Sequence, residues 1–321
     1  MLGDVDKPGS DAVTRKSATH DAPIFVTGFA RSGTTWVNRL MADYFDAGFV
    51  NEGQFIVSFG KHIKRYGDLK DIQNREGLLQ DLARDDFFSI LRRSYGIEMD
   101  WVRVKDRGAS FAGVVRDVLT QIAERLGKRR IGSKYPAFGR HLELLNNLFP
   151  DCRVIHVVRD GRDCALSQKG VTWGHQNTYA AAIHWRKYLA TVRNSADAMH
   201  GRFLEIRYED LLLKPEFTMN KLDVFIGDDQ GGRASRRFLE NRGSLKASKV
   251  GQWRKAMPVR SQALFESVAG DMLELYGYPL TGAYRPPSLL FRAGYTIHDR
   301  LSREGWYWAR KMFNNISEFK Q

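Results

Sequence analysis

The sequence predicts one α/β domain with a doubly wound, mostly parallel sheet, helices on both faces and a helical C-terminal tail. Three observations support this fold class. Short apolar runs rich in β-branched residues alternate with helical segments along the chain. A glycine-rich turn joins the first such run to the first helix. The run Val154–Val158 is β-branched around a single histidine, as in strands that a parallel sheet buries on both faces.

The predicted elements follow one another as such a sheet requires. Strands are expected at Ile24–Thr27, Phe49–Val50, Arg129–Lys134, Val154–Val158 and Phe203–Tyr208. Helices are expected at about 34–47 and 180–198. A long region between the second and third strands is predicted to be mostly helical, because its apolar residues recur at helical spacing.

The two ends of the chain differ from this central part. Residues 1–22 are polar, and we expect a disordered segment there, with neither signal peptide nor membrane anchor. Residues 23–285 form the predicted domain. Residues 286–321 begin with two prolines and continue with apolar residues at helical spacing, which predicts a linker and an amphipathic helix. We expect this helix to pack on the domain; a homodimer contact and a peripheral membrane contact are the alternatives.

The charge balance indicates an anionic partner. The chain has 50 Lys and Arg against 37 Asp and Glu, which gives a formal charge of +13. Such a surplus suits a nucleotide, a nucleic acid, an acidic glycan or a membrane surface, and it is also compatible with an ordinary basic surface. Nucleic acid is not expected as a partner, because the charges are interspersed and there is neither a basic helix nor an aromatic stacking motif.

The two cysteines, Cys152 and Cys164, predict a reducing compartment. They provide neither a disulfide framework nor a metal-ligand pattern. No apolar run approaches the ~20 residues needed to cross a bilayer. We therefore expect a cytoplasmic protein.

The turn after the first strand, Gly28–Thr35, has the position and glycine spacing of a Walker A phosphate loop. Thr34 stands where that motif needs lysine, and the cation of the loop is Arg31. The loop can still bind an anion without this lysine, because backbone N–H groups and a helix N-terminus still converge on the ligand. The sequence thus predicts a P-loop-like fold whose loop departs from that of a nucleoside-triphosphate enzyme.

Arg31–Trp36 resembles the 5'-phosphosulfate loop of the sulfotransferase family that uses 3'-phosphoadenosine 5'-phosphosulfate (PAPS) as donor. The resemblance implies that Arg31, Ser32, Gly33, Thr34 and Thr35 bind the 5'-phosphate and the sulfuryl group. It also implies that Trp36 lies near the adenine, although a plain core position on the first turn of a helix is the alternative.

A second motif, Val157–Ser167, resembles the 3'-phosphate motif of the same family. Arg159 follows the clearest strand, and ligands of open α/β sheets bind at the carboxyl ends of strands. An Arg and a hydroxyl at this place make a phosphate clamp, and the resemblance assigns the 3'-phosphate to Arg159 and Ser167. Asp160 and Asp163 are expected to cap the turn or to pair locally.

Two further segments resemble the family, so that the likeness extends over residues 24–254. Tyr208 begins a Tyr-Glu-Asp segment whose tyrosine approaches the adenine in the family. Residues 249–254 resemble the Gly-x-Trp loop that closes over the 3'-phosphate, but only one of the usual preceding charges is kept. The residues assigned there are Lys246, Ser248, Lys249, Val250 and Gly251, and which of Lys246, Ser248 and Lys249 touches phosphate stays open.

The candidate catalytic residues are Glu52, Lys134 and Arg31. Glu52 lies seventeen residues after Thr35, which resembles the bacterial and protein-tyrosine sulfotransferase branches with a Glu base. In those branches a Lys at the place of Lys134 stabilises the bridging oxygen. Arg31 keeps its proton and would stabilise the leaving group. A solvated loop carboxylate and a strand-end salt bridge are the plain alternatives for Glu52 and Lys134; weaker base candidates are His62 and His175.

The function that these motifs imply is direct, in-line transfer of a sulfuryl group from PAPS to a hydroxyl of a carbohydrate, lipid or small-molecule acceptor, with 3',5'-bisphosphoadenosine (PAP) as product. No metal is required, because the transferred group carries less charge than a phosphoryl group and no acidic or histidine cluster has metal-ligand spacing. The main alternative is a P-loop nucleotide kinase or ATPase; a non-catalytic polyanion-binding protein is a further one.

Overall fold

The computed structural model describes residues 22–50, 52–169, 171, 174–227, 232–241, 247–282, 288 and 290–302 of the chain. The predicted disorder before residue 22, Lys246 and the second half of the predicted C-terminal helix lie outside these residues.

The core of the fold is one five-stranded parallel sheet, as the sequence predicts. Its strands are β1 (Ile24–Gly28), β2 (Ala47–Gly48), β3 (Arg130–Lys134), β4 (Arg153–Val158) and β5 (Phe203–Arg207). Their spatial order is β2-β3-β1-β4-β5, and every neighbouring pair is parallel. The central strand β1 therefore carries the glycine-rich turn between the ends of β3 and β4.

The predicted second strand was wrong by two residues. The ladder forms at Ala47–Gly48, and Phe49 and Val50 lie beyond it. Gly48 fits because a Cβ there would lie 2.4 Å from the Cα of Ala123, so only glycine allows this approach. The Phe49 ring fills the space over Gly132, where a Cβ would lie 1.7 Å from the ring. The position of β2 therefore depends on close packing at Gly48 and not on the β-propensity of Phe49 and Val50.

Helices connect the strands in the predicted alternation. Within the described residues they are α1 (Thr34–Tyr44), α2 (Phe55–Gly60), α3 (Ile72–Ala83), α4 (Asp86–Tyr95), α5 (Trp101–Arg107), α6 (Phe111–Arg125), α7 (Leu142–Leu148), α8 (Gly161–Gln168), α9 (Thr178–Ala196), α10 (Tyr208–Leu213), α11 (Pro215–Ile226), α12 (Arg233–Asn241), α13 (Trp253–Ala256) and α14 (Val259–Leu275). Short 3-10 helices lie at Ile63–Tyr66, Pro136–His141, Asp197–Met199 and Ala247–Lys249. Several helices begin at the side-chain caps that sequence favours there, such as Asp85 before α4 and Asn177 before α9.

Helices cover both faces of the sheet, as predicted. Successive strand residues point to opposite faces. Phe25 and Val154 belong to a core shared with α6 and α9, whereas Val26 and Ile155 belong to a second core shared with α1 and α11. This double burial explains why β4 reads as a continuous apolar run.

The tail contains a helix over residues 290–302. Its contacts with the domain are polar and aromatic: Asp299 is 5% exposed and accepts the Gln176 N–H at 2.8 Å, and the Tyr295 ring stacks on Tyr179 at 5.6 Å. The large apolar side chains of this part are exposed; they are Leu290, Phe291, Ile297 and Leu301. Among the described residues, no helix combines the length and apolar character needed to cross a membrane.

Candidate active site

A cavity of about 1050 Å³ opens at the carboxyl ends of β1, β3 and β4. Parallel sheets bind ligands at this edge, where the connecting loops converge. Eleven residues that the sequence singled out for the donor or for catalysis line this cavity: Arg31, Gly33, Thr34, Thr35, Trp36, Glu52, Lys134, Arg159, Ser167, Tyr208 and Lys249. His175, a weaker base candidate, lines it as well, and His62 does not.

The turn between β1 and α1 needs glycine at its last position. Gly33 has a φ of 97°, in the left-handed region, and a Cβ there would lie 2.4 Å from the Tyr208 ring. Tyr208 thus packs directly on the loop that precedes the N-terminus of α1. Ser32 differs from its neighbours, since its side chain is buried with Oγ 3.8 Å from the Cys164 Sγ and it does not line the cavity.

The two predicted phosphate motifs meet in space although they lie far apart in sequence. Arg31 Nε donates to Ser167 Oγ at 2.9 Å, and Arg159 Nη1 donates to the Arg31 carbonyl at 3.2 Å. Both loops follow neighbouring strands, β1 and β4, whose carboxyl ends lie side by side. One ligand can therefore contact both loops.

Arg159 is the most strongly constrained cation of the site. It is 7% exposed, its Nη2 donates to the Lys249 carbonyl at 2.9 Å, and its Cζ lies 4.5 Å from the centroid of the Tyr208 ring. Among the residues that the structure describes, its buried Nε–H has no hydrogen-bond partner. Burying a charged donor without a partner is costly, so a bound acceptor group at this nitrogen would be stabilising.

Asp163 holds the loop after Lys249 against the site. Its two carboxylate oxygens accept the N–H groups of Gly251 and Trp253, each at 2.9 Å, and Arg159 lies 3.6 Å away. Burial raises the pKa of this carboxyl, and the hydrogen bonds oppose the shift. Local pairing was expected for both acidic residues: Asp160 caps α8 through the N–H of Arg162, and Asp163 lies 3.6 Å from Arg159. The two hydrogen bonds of Asp163 to residues 88 and 90 positions away were not expected.

An aromatic pair lines the cavity beside the turn between β1 and α1. The rings of Trp36 and Tyr208 meet edge to face with centroids 5.9 Å apart, and both side chains are half-buried. Trp36 packs against the core beneath α1 and also lines the cavity, so the two predicted roles are compatible. Burial raises the pKa of the Tyr208 phenol, so that it stays neutral near physiological pH.

Glu52 and Lys134, which also line the cavity, form an ion pair. Lys134 Nζ lies 3.2 Å from Glu52 Oε1; the lysine side chain is 3% exposed and the glutamate side chain 50%. Gly53 brings the two together, because its N–H donates to the Lys134 carbonyl and a Cβ there would lie 2.1 Å from Ser133 Oγ. Neither residue is therefore an isolated surface charge.

Backbone strain coincides with the two loops that carry candidate catalytic groups. Arg31 has a φ of 71° and Glu52 a φ of 44°, both left-handed and both in residues other than glycine. Such conformations cost of order 1–3 kcal/mol and persist where surrounding contacts fix them, often at functional sites. Sequence reasoning had no means to see this feature.

The cavity is also lined by residues that the sequence did not single out, among them Tyr135, Arg140 and Tyr188. Tyr188 is anchored from α9, with its hydroxyl 3.0 Å from Thr27 Oγ1 and donating to the Pro136 carbonyl at 2.9 Å. These residues belong to no local motif, because three separate elements supply them. An aromatic residue directly after a strand end, as at Tyr135, was the one available signal.

The spacing of residues in the sequence also failed to reveal one group of possible metal ligands. The donor atoms of His175, His184 and Asp299 lie within 4.8 Å of one another, and the two imidazole rings stack 4.2 Å apart. His175 Nδ1 lies 3.2 Å from Asp299 Oδ2. The third member comes from the tail helix, 124 residues after the first, which is why no spacing pattern revealed it.

The C-terminal loop contributes one described residue to the cavity. Lys249 lines it, whereas Ser248, Val250 and Gly251 do not. The Gly251 N–H is already bound by Asp163. The assignment of this loop to the 3'-phosphate remains a prediction for these residues and for Lys246.

Comparisons with known proteins agree with this geometry. A model of the sulfotransferase family matches residues 23–229, which is more than half of the chain. The sulfotransferase domain of the Synechococcus PCC 7002 olefin synthase superposes with a TM-score of 0.50 at 18% identity, over 81% of this chain and 95% of that one.

Two other solved structures are similar to the chain at lower TM-scores. The sulfotransferase domain of the curacin biosynthetic pathway gives 0.48 at 18% identity, over 81% of this chain and 98% of that one. A sulfotransferase from Alicyclobacillus acidocaldarius gives 0.43 at 13% identity, over 82% and 99%. None of the curated proteins compared with the chain matches it. From the family match over residues 23–229, the chain belongs to the sulfotransferase family.

Proposed function

We propose that this protein transfers a sulfuryl group from PAPS directly to a hydroxyl of a carbohydrate, lipid or small-molecule acceptor. One observation carries the proposal: two anion-binding loops after neighbouring strands face a single cavity and are joined there by the Arg31–Ser167 hydrogen bond of 2.9 Å. A ligand that fills both loops needs anionic groups at two places, and PAPS has a 5'-phosphosulfate and a 3'-phosphate.

The residues present fit this donor. The N-terminus of α1 and the loop from Arg31 to Thr35 would hold the 5'-phosphosulfate, since helix N-termini and convergent N–H groups bind such anions. Arg159, with its unpartnered buried Nε–H, and Ser167 would hold the 3'-phosphate. Trp36 and Tyr208 would contact the adenine. Lys249 would approach the 3'-phosphate from the C-terminal loop.

The catalytic roles that we propose come from the resemblance to the family and are supported by the place of these charged groups in the cavity lining. Glu52 accepts the proton of the acceptor hydroxyl as the oxygen–sulfur bond forms. Lys134 and Arg31 stabilise the negative charge that develops on the bridging oxygen as its bond to sulfur breaks and PAP leaves. The Glu52–Lys134 ion pair of 3.2 Å holds the carboxylate over the cavity before substrate binds. Positioning and electrostatics supply the rate enhancement in such a transfer.

A nucleotide kinase or ATPase is disfavoured by two observations. Thr34 stands in the place of the Walker lysine. Arg159 lies at the end of a second strand, and its Nε–H has no partner among the described residues. We assign a 3'-phosphate to this place, and ATP has none. The family match gives the kinase alternative no support.

Calorimetric titration with three nucleotides tests the proposal. We expect PAP to bind without added metal, and adenosine 5'-phosphosulfate and Mg-ATP to bind at least tenfold more weakly, because both lack the 3'-phosphate. Chelator in the buffer should leave PAP binding unchanged. Preference for Mg-ATP over PAP, or equal binding with and without the 3'-phosphate, would contradict the proposal.

A further inference from the structure

The part of the cavity that the proposed function assigns to the acceptor, here called the acceptor end, contains one cation that donor binding and catalysis leave unused. Arg140, from the 3-10 helix Pro136–His141, lines the cavity and lies with its Cζ 5.6 Å from the centroid of the Tyr188 ring. Its side chain is exposed, and among the residues that the structure describes no carboxylate pairs with it. A guanidinium over an aromatic ring keeps its N–H donors available at the ring edge.

Two more basic groups lie near this segment, but neither lines the cavity. His141 follows Arg140, and Lys61 lies at the end of α2. Burial lowers the pKa of His141, and the positive charges of Lys61 and Arg140 lower it further. We name Lys61, Arg140 and His141 the basic rim. An anion bound beside them would favour the charged form of His141.

The basic rim lies close to the proposed base. Burial raises the pKa of the Tyr135 phenol; the charge of Glu52 raises it further, and the charge of Arg140 opposes this. Both charges therefore act on one phenol, which lines the same cavity. Tyr135 directly follows Lys134, the ion-pair partner of Glu52, and precedes the 3-10 helix that carries Arg140. Glu52, Tyr135 and Arg140 all line the cavity that one acceptor molecule would occupy.

The other cations of the cavity are accounted for by the donor or by catalysis. Arg31 donates to Ser167, Lys134 pairs with Glu52, and Arg159 is bound to the two donor loops. Lys249 belongs to the loop proposed for the 3'-phosphate, and Arg39 lies one turn after Trp36, the proposed adenine contact, on α1. Arg140 is the cation at the acceptor end without such an assignment among the described residues.

We propose that the acceptor carries an acid group, a carboxylate, phosphate or sulfate, which Arg140 binds while the acceptor hydroxyl faces Glu52. This inference rests on the proposed sulfuryl transfer and adds the chemical class of its acceptor. A planar guanidinium with several donors matches all three oxyanions.

Matched pairs of acceptors test the inference. The pairs are glucuronate and glucose, glucose 6-phosphate and glucose, and a hydroxy fatty acid and its methyl ester, each with labelled PAPS. We expect the acid-bearing member of at least one pair to have a kcat/KM about tenfold or more above its neutral partner. The pair that shows the largest ratio distinguishes carboxylate from phosphate recognition. A panel in which neutral members are sulfated as well as acidic ones would overturn the inference.

The Arg140→Gln variant tests the residue itself. It should lower kcat/KM for the acid-bearing acceptor about tenfold, change that for the neutral partner less than about twofold, and leave PAP affinity unchanged. Arg84→Gln is the matched control, since Arg84 is exposed and does not line the cavity. It should change none of these values. Unchanged selectivity in Arg140→Gln would overturn the inference.

If no member of the panel is sulfated, the imidazole of His141 provides the second measurement. In the PAP complex, NMR titration of labelled histidine should show a higher His141 pKa with glucuronate or glucose 6-phosphate than with glucose, because a bound anion favours the imidazolium. No difference between acidic and neutral probes would overturn the inference. Absence of PAP binding would instead contradict the proposed function, so the two failures are distinguishable.

Discussion

The two parts of the cavity that the proposed function assigns to the nucleotide and to the acceptor, the nucleotide end and the acceptor end, are built differently. At the nucleotide end, Arg159 has a side chain that is 8% exposed and hydrogen bonds to two loops, and Asp163 fixes the second of these loops through two backbone N–H groups. At the acceptor end, Glu52 is half exposed and Arg140 is exposed as well. The nucleotide end is thus preorganised for one ligand, whereas exposed side chains at the acceptor end leave room for variation in substrate.

The largest effect that separates the two ends is expected for Glu52→Gln. Loss of the base should lower kcat about 10²-fold or more, while PAP affinity stays unchanged, because the carboxylate lies away from the donor loops. Steady-state rates with labelled donor and calorimetry with PAP measure the two quantities. Glu216→Gln, in the first turn of α11, is the control and should behave as the wild type. Normal turnover in the Glu52→Gln variant would remove Glu52 from the mechanism.

Arg159→Ala should have the converse effect at the nucleotide end. A hydrogen bond to a charged group contributes about 1.5–3 kcal/mol, so PAP affinity should fall about 10- to 100-fold. Adenosine 5'-phosphosulfate, which lacks the 3'-phosphate, should lose much less. Arg159→Lys keeps the charge but loses the bidentate geometry, so its PAP affinity should lie between those of the wild type and of Arg159→Ala. An equal loss for both nucleotides would mean that Arg159 supports the loops without binding the 3'-phosphate.

A pair of glycine variants tests whether the nucleotide end is preorganised. Gly33 and Gly127 both have positive φ, 97° and 64°, but a Cβ at Gly33 meets the Tyr208 ring at 2.4 Å whereas nothing lies within 4 Å at Gly127. Gly127→Ala should cost about 1 kcal/mol of stability from backbone strain alone. Gly33→Ala should cost more and should also weaken PAP binding, because Tyr208 must move. Chemical denaturation and calorimetry compare the two; equal losses with intact PAP binding would contradict this explanation.

The smallest effect is expected for Asp163→Asn. The amide keeps one acceptor oxygen, so one of the two N–H groups, of Gly251 or Trp253, loses its partner at a cost of about 1–3 kcal/mol. Hydrogen exchange of these two amides should become faster, with a modest loss of PAP affinity. Protection equal to that of the wild type would show that the C-terminal loop is held by other contacts.

The fold class could be predicted because its evidence is local. Val154–Val158 is apolar along its whole length apart from one histidine, since both faces of β4 are buried, and Gly28–Thr35 carries the turn chemistry of a phosphate loop. The boundaries at the sheet edge could not be predicted in this way. β2 formed at Ala47–Gly48 because Gly48 fits against α6, and that contact joins segments that lie far apart in the chain.

The amino-acid sequence by itself determined the parallel sheet, the glycine-rich turn and the candidate residues Arg31, Glu52, Lys134, Arg159 and Ser167. These features depend on periodicity and on motifs within a few residues, which the chain order preserves. Tertiary structure alone decided that Arg31 binds Ser167, that Asp163 holds the loop of Gly251, and that Tyr188 and Arg140 border the acceptor end. The physical reason is that side chains from separate elements meet only after the two cores pack against the sheet and set the spacing between strand ends.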